Sequence, residues 1–355
     1  MYTQKLQSIK VSSAGESHGA GYTGIIEGLP SGLEISLSAI QNELNRRKPG
    51  GLFASPRNEV DLIEITSGHY EGKTTGAPLA FFIKNTNQQS KDYDLLKDHF
   101  RPGHVDVVRE FKFPHHDHRG SGHYSARITL IQVVAGAFAK KLLAPLGITI
   151  KGYVSQIGTH LDTTHYDSLN QEIIEKSPLR MMNPTLDKKT QEYLQQIIQD
   201  KMSVGSKATL FIEGLPIGLG TPHFDKINAR LASALFSLPA VQGVNFGQAD
   251  LITQKFGHEF HDVITSVSDT SISFASNNHG GILGGMSTGA PIVIHALLKP
   301  PSSFGFKQKY WNKVLKKNVE LELEGRFDPV LAPRFVPVAE AKVAVEILNM
   351  LANYA

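Results

Sequence analysis

Glu16, Ser17 and His18 stand side by side in SAGESHGAGYTG, residues 13 to 24, with Gly15 and Gly19 on either flank. Glycine permits unusual backbone angles and close approach of another molecule, so the triplet reads either as a solvated turn or as a loop facing a ligand. A serine nucleophile beside its base is the weaker reading, because neighbours in a chain rarely adopt catalytic geometry toward one another. Polar residues and glycines gather at further places. RPGHVD (101–106) sets His104 in a Pro-Gly turn between Arg101 and Asp106, and HRGSGHYSAR (118–127) puts Ser125 and two arginines ahead of an apolar run. Backbone N–H groups at a helix start hold anions, and arginines reinforce them. NNHGGILGGMSTGAP (277–291), KPPSS (299–303) and GRFDPVLAPR (325–334) complete the set. Arg46-Arg47-Lys48 is the longest basic run. It suits a small phosphate or a helix C-terminus. PHHDH (114–118) and HEFHD (258–262) carry metal-ligand residue types, but the second is one residue short of zincin spacing and lacks a third ligand. Exposed loop histidines and a His-based metal hydrolase are the two readings of them. No segment fits the dinucleotide fingerprint or the P-loop in a strand-turn-helix setting.

These loops need a scaffold, and two echoing segments outline it. IEGLPSGL (26–33) returns as IEGLPIGL (212–219), and TTGAPLAFFIK (74–84) returns as STGAPIVIHALLK (287–299) in the same order. An internal duplication explains both. The expectation is one α/β (α+β) domain over 1–355, with related halves near 1–150 and 205–355 and a polar, helical insertion near 160–204. Runs rich in β-branched residues place strands at 60–66, 79–84, 148–157, 208–213 and 291–298. AIQNELNRR after Ser38 reads as a helix stopping before Pro49. HFDKINARLASALFSL after Pro222 reads as another, with Phe224, Ile227, Leu231 and Leu235 on one stripe. A third, broadly apolar and central, covers about 125–145 and is halted by Pro145 and Gly147.

The 355 residues, 41% hydrophobic and 19% charged, have the composition of a folded globular protein. No run approaches about 18 apolar residues, so no membrane span is expected. With no cysteine, thiolate metal sites, thiol nucleophiles and disulfides are excluded. That fits a reducing cytoplasm. A net charge of +3 is too mild for a nucleic-acid binder.

GESHG, RRKPG, SGHYEGKTTGAP, DY, RPGHVD, RGSGHYSAR, GGILGGMSTGAPI, KPPSS and RFDPVLAPRFVPVAEA follow one another from Gly15 to Ala341. In that order they resemble the chorismate synthase family. The resemblance implies a β-α-β sandwich with internal pseudo-symmetry, assembled as a homotetramer. It implies a lyase that removes phosphate from 5-enolpyruvylshikimate 3-phosphate by 1,4-anti elimination and needs reduced FMN. NADPH joins if the enzyme reduces its own flavin. By the same resemblance His18 donates a proton near the departing phosphate. His104 protonates reduced flavin at its pyrimidine edge, and Asp328, near flavin N5, helps remove the C6 proton. Ser17 lines the substrate pocket. Arg46, Arg101, Arg127 and Arg334 meet the substrate, and Arg47 meets a cofactor phosphate. FMN contacts are implied for His123, Tyr124, Ser125, Pro239, Ala240, Gly284, Lys299, Pro300, Pro301, Ser302, Ser303 and Arg326, and no metal is implied.

The chain departs from the family pattern in places. RGSGHYSARIT stands where RGGGRSSARET is usual, VSSAGESHG stands for VTTFGESHG, Lys48 replaces an arginine, and Phe53 stands near where a phosphate-binding arginine is common. These changes keep open a second reading, a catalytically impaired flavin- and phosphate-binding homologue.

Overall fold

The computed structural model describes residues 6–48, 52–54, 59–86, 95–164, 168–325 and 327–354. In the first half, strands β1 (Lys10–Gly15), β2 (Gly21–Glu27), β3 (Ile63–Ser67) and β4 (Leu79–Lys84) form an antiparallel sheet ordered β1-β2-β4-β3. In the second half, β5 (Thr149–Ile157), β6 (His160–Leu161), β7 (Ser206–Glu213), β8 (Val241–Phe246) and β9 (Ile292–Leu298) form another, ordered β6-β5-β7-β9-β8. Leaving out the two-residue edge strand β6, the two orders correspond strand for strand.

The echoed sequences sit at equivalent places and do the same physical work. Thr74 donates its hydroxyl to Pro30 O at 2.5 Å and accepts from Leu33 N at 3.0 Å. In the other half Ser287 donates to Pro216 O at 2.5 Å and accepts from Leu219 N at 2.9 Å. One buried hydroxyl thus clamps each GLPxGL turn. Gly28 (φ +87°) and Gly214 (φ +80°) begin these turns, and a Cβ on either would stand 2.3 Å from a carbonyl oxygen, of Ser8 and of Gly147. Only glycine satisfies both the left-handed angle and the close approach.

Besides a single turn at Gly257–Phe260, the α-helices are α1 (Leu37–Arg47), α2 (Asp106–Lys112), α3 (Thr129–Leu143), α4 (Gln171–Lys176), α5 (Pro184–Gln199), α6 (Ile227–Phe236) and α7 (Ala332–Ala352), of which α1, α3, α6 and α7 pack on one another as a layer against the sheets. α3 lies against β1 and β2, α7 against β5 and β7, and the two pack on each other. Gly136 lets them meet, since a Cβ there would fall 2.2 Å from Ala341 Cβ. Residues 126–146 are long and apolar enough to cross a membrane by length and composition, with mean hydropathy 1.4. Here their core, α3, is buried on most of its circumference because protein covers it on both sides.

Local signals account for most boundaries. Ser36, not Ser38, caps α1, accepting from Ala39 N at 3.2 Å. Gly147 (φ +74°) ends the turn after α3, and Pro49 lies outside the described residues. α6 begins only at Ile227, so Phe224 does not join its apolar stripe and stands 96% exposed. Pro337 lies inside α7 and cannot donate to Pro333 O. Arg180 Nε fills that vacancy at 3.0 Å, and its NH2 reaches Arg46 O at 2.9 Å. The segment holding α4 and α5 is therefore bonded into the helical layer through Arg180. Phe53 is buried in the core.

Candidate active site

A cleft of about 740 Å³ opens between the C-terminal end of α6, the N-terminal ends of α3 and α7, and the loops 101–105, 120–128, 299–303 and 323–328. His104 lines it from the RPGHVD turn. Its Nδ1 lies 2.8 Å from Asp106 Oδ1, and its Nε2 lies 3.0 Å from Ser121 Oγ. Asp106 opens α2 and also receives Arg101, through Nε at 2.7 Å and NH2 at 2.9 Å. Arg101 reaches on to Ser121 Oγ at 3.3 Å and Ser303 Oγ at 3.0 Å. One carboxylate thus orients a histidine and an arginine from a single turn.

The electrostatics follow from that arrangement. Burial would raise the Asp106 pKa, but the hydrogen bonds from Arg101 and His104 outweigh it and hold the group far below the ordinary carboxylate range. An ionised Asp106 accepts from Nδ1–H and so leaves Nε2 as the exchangeable nitrogen of His104. Burial, aided by the Arg101 charge, lowers the His104 pKa despite the Asp106 hydrogen bond. The imidazole is neutral at neutral pH.

Ser121 is held in the left-handed region (φ +84°) between Gly120 (φ +58°) and Gly122 (φ +57°). Such strain persists where surrounding contacts over-determine it, and here the contacts are to His104 and Arg101. The same turn presses on the GESHG loop. Ser17 N donates to Gly122 O at 3.1 Å, and a Cβ on Gly120 would lie 2.2 Å from Ser17 Oγ and 2.7 Å from His18 Nε2. His18 is buried directly behind Gly120. Ser17 and His18 therefore abut the cleft wall without forming it.

Arg47, Arg127 and Arg334 form a second cationic group. Arg127 NH2 pairs with Asp61 at 2.7 Å and its NH1 with Glu59, while Arg47 NH1 lies 3.3 Å from Glu59. Arg334 NH1 pairs with Asp328 Oδ2 at 2.7 Å, which fixes that carboxylate on the wall. Burial and the nearby Arg334 charge lower the Arg47 pKa to about 10, so it stays protonated. Lys299 completes the set, donating to Gly103 O and to Ser302 Oγ at 2.8 Å and so clamping KPPSS onto the His104 turn. Among the described residues six basic side chains (Arg47, Arg101, Arg127, Lys299, Arg334, Lys342) line the cleft, beside the acids Glu324 and Asp328 on the wall and Glu59, Asp61 and Asp106 paired with the arginines. Arginines and lysines gathered on one wall suit ligands carrying phosphate or carboxylate groups.

Most of the residues expected from sequence converge here: His104, Asp328, Arg47, Arg101, Arg127, Arg334, Lys299, Pro301, Ser302, Ser303, Pro239, Ala240, His123, Tyr124 and Ser125. The His123 and Tyr124 rings lie 4.1 Å apart between centroids, tilted by 34°. Segment 119–124 is not the start of the central helix but a turn with left-handed residues, after which Ser125 caps residues 126–128. Arg46 departs from expectation. It lies one position, about 100°, around α1 from Arg47, and its guanidinium is committed to Glu340 at 2.7 Å and Glu175 at 2.7 Å, outside the cleft. Gly284, in the turn between Ile282–Leu283 and Met286–Ser287, and Pro300, beneath Gly205, do not line the cleft either. Arg326 and the Asp92-Tyr93 pair lie outside the described residues.

Among the described residues no three or more His, Asp and Glu side chains gather to hold a metal. HEFHD ends a single helical turn, and Asp262 is occupied by Ser276 Oγ at 2.6 Å and by the N–H groups of Asn278 and His279. Site residues not singled out as such from sequence are Asp106, Ser121 and Lys342. Asp106 and Ser121 both stood inside quoted motifs, whereas Lys342 is placed in the cleft by packing between segments far apart in sequence.

A family model described as chorismate synthase matches residues 9–352. A chorismate synthase of Methanocaldococcus jannaschii is 42% identical over 96% of this chain and 94% of its own length. A crystal structure of chorismate synthase superposes with a TM-score of 0.75 at 30% identity, covering 97% of this chain and 91% of the other.

Proposed function

The chain belongs to the chorismate synthase family, a family of lyases, and from that premise we propose that it eliminates phosphate from 5-enolpyruvylshikimate 3-phosphate to give chorismate, with reduced FMN bound in the cleft. The observation that carries the proposal is the convergence of His104 with Asp106, Asp328 with Arg334, and a set of basic side chains on one cavity. Its volume of about 740 Å³ suits two small ligands side by side. The donor set fits FMN: cations for its phosphate, hydroxyls of Ser125, Ser302 and Ser303, and the adjacent His123 and Tyr124 rings. When bound, reduced FMN supplies electron density that no side chain offers, without net redox change.

The chain's own residues bind, orient and move protons. Arg47, Arg101, Arg127, Arg334 and Lys299 offset the phosphates of substrate and cofactor. His104 moves a proton at Nε2 while Asp106 holds Nδ1–H. Asp328, oriented by Arg334 through Oδ2, accepts the substrate's C6 proton. His18 is assigned as the proton donor to the leaving phosphate, a role that requires the Gly120 turn covering it to move aside. We further propose a homotetramer working in the cytoplasm, built from two duplicated halves near 1–150 and 205–355, with NADPH as a reductant if the protein recharges its own flavin. Incubating the protein with substrate and chemically reduced FMN without air should produce the absorbance of chorismate. Folded, flavin-loaded protein that releases none would refute the elimination and leave the impaired homologue standing.

A further inference from the structure

Lys342 lines the cleft from α7. Each of the other five basic side chains on the wall is engaged: Arg101 by Asp106, Arg47 by Glu59, Arg127 by Asp61, Arg334 by Asp328, and Lys299 by Ser302. Among the described residues Lys342 makes no hydrogen bond or ion pair, although it is half-buried. Its nearest opposing charge, Glu346 one turn along α7, is taken by Arg230 at 2.6 Å. Burial lowers the Lys342 pKa, which reports the same lack of compensation. An ammonium withdrawn from water without an acceptor costs stability, and such a cost is typical of residues kept for a ligand.

We propose that Lys342 is a phosphate-binding residue of the cleft, pairing its ammonium with the oxygens of a phosphate monoester held there. This rests on the flavin-and-substrate reading above, which offers two sources, the cofactor's phosphate and the substrate's. The full-length variants Lys342→Met and Lys342→Arg separate them. If the cofactor supplies the phosphate, Lys342→Met weakens FMN binding on the order of 10- to 100-fold, the worth of one charge-assisted hydrogen bond. Riboflavin, which lacks the phosphate, then binds both proteins alike. If the substrate supplies it, both flavins bind unchanged, the substrate KM rises by the same factor, and inhibition by inorganic phosphate weakens. In either case Lys342→Arg retains binding, and affinity that falls with rising pH in the parent protein becomes flat in the Arg variant. The Met variant should melt no lower than the parent. FMN affinity, KM and phosphate inhibition all within twofold of the parent would overturn the proposal. So would a lowered melting temperature with equal loss of FMN and riboflavin, which is the mark of a packing role. Failure of the elimination reading would show separately, as parent protein that binds flavin but makes no chorismate.

Discussion

Replacing Asp106 by Asn removes one negative charge and leaves the shape of the RPGHVD turn almost unchanged. The carboxylate oxygens lie 2.8 Å from His104 Nδ1 and 2.7 and 2.9 Å from the Arg101 guanidinium. Taking one partner from a buried ion pair costs about 3–5 kcal/mol, chiefly because the other charge stays buried. That is tolerable in a domain with about 5–15 kcal/mol of stability, so Asp106→Asn should fold with a clearly lowered melting temperature. Asp106 has a depressed pKa. Its stabilisation is therefore complete above the unfolded carboxylate pKa and lost as pH falls through the folded value, and the stability gap between parent and variant should narrow in acid. His104 changes in the other direction of interest. Its pKa is already lowered by burial, and the Asp106 hydrogen bond is what opposes that. Without it the pKa falls further, and the limb of the pH–rate profile that reports His104 moves to lower pH. The amide can also turn an N–H toward Nδ1 and favour the wrong tautomer. Turnover in the anaerobic chorismate assay should fall on the order of 10²- to 10⁴-fold, the range for one acid-base group. A variant with turnover within threefold of the parent, or a limb displaced to higher pH, would refute the assignment of His104 and of Asp106 as its positioning residue.

Three further substitutions probe separate parts of the structure. Gly120→Ala places a Cβ 2.2 Å from Ser17 Oγ and 2.7 Å from the His18 ring at φ +58°; it should cost about 1–3 kcal/mol in urea unfolding and depress turnover by displacing His18. Gly136→Ala drives a methyl to 2.2 Å from Ala341 Cβ and should destabilise by about 1–3 kcal/mol in the same measurement, with substrate KM little changed in protein that remains folded. Glu340→Gln leaves Arg46 and Lys140 short of a shared buried carboxylate and should cost about 3 kcal/mol at neutral pH. Burial works against ionised Glu340, but Lys140 and Arg46 prevail and lower its pKa. The deficit should therefore shrink as pH falls through that depressed value, while KM stays unchanged because the cluster lies outside the cleft.

Short-range physics was legible in the chain. Runs rich in β-branched residues gave β4, β5, β7 and β9 to within two residues, and the Pro145–Gly147 stop after α3 was visible. The repeated GLPxGL and [ST]TGAP segments announced related turns, because a glycine at positive φ and a hydroxyl clamp are local requirements. His104, Asp106 and Arg101 lie within six residues of one another, so their common turn could be read directly. What the sequence left undetermined depends on partners distant in the chain. Arg46 and Arg47 are adjacent letters, yet a helix turns about 100° per residue and sends one to Glu340 and the other to the cleft. Phe224 matched a helical stripe but precedes the point where α6 begins. Ser121 meets His104, and Lys342 reaches the same cavity from the far end of the polymer, because packing α3 against α7 closes the space between two sheets. Composition and spacing determined which chemistries were present; burial, long-range charge pairing and the direction each helix face points were decided only by tertiary structure, since those energies depend on distances that residue order does not contain.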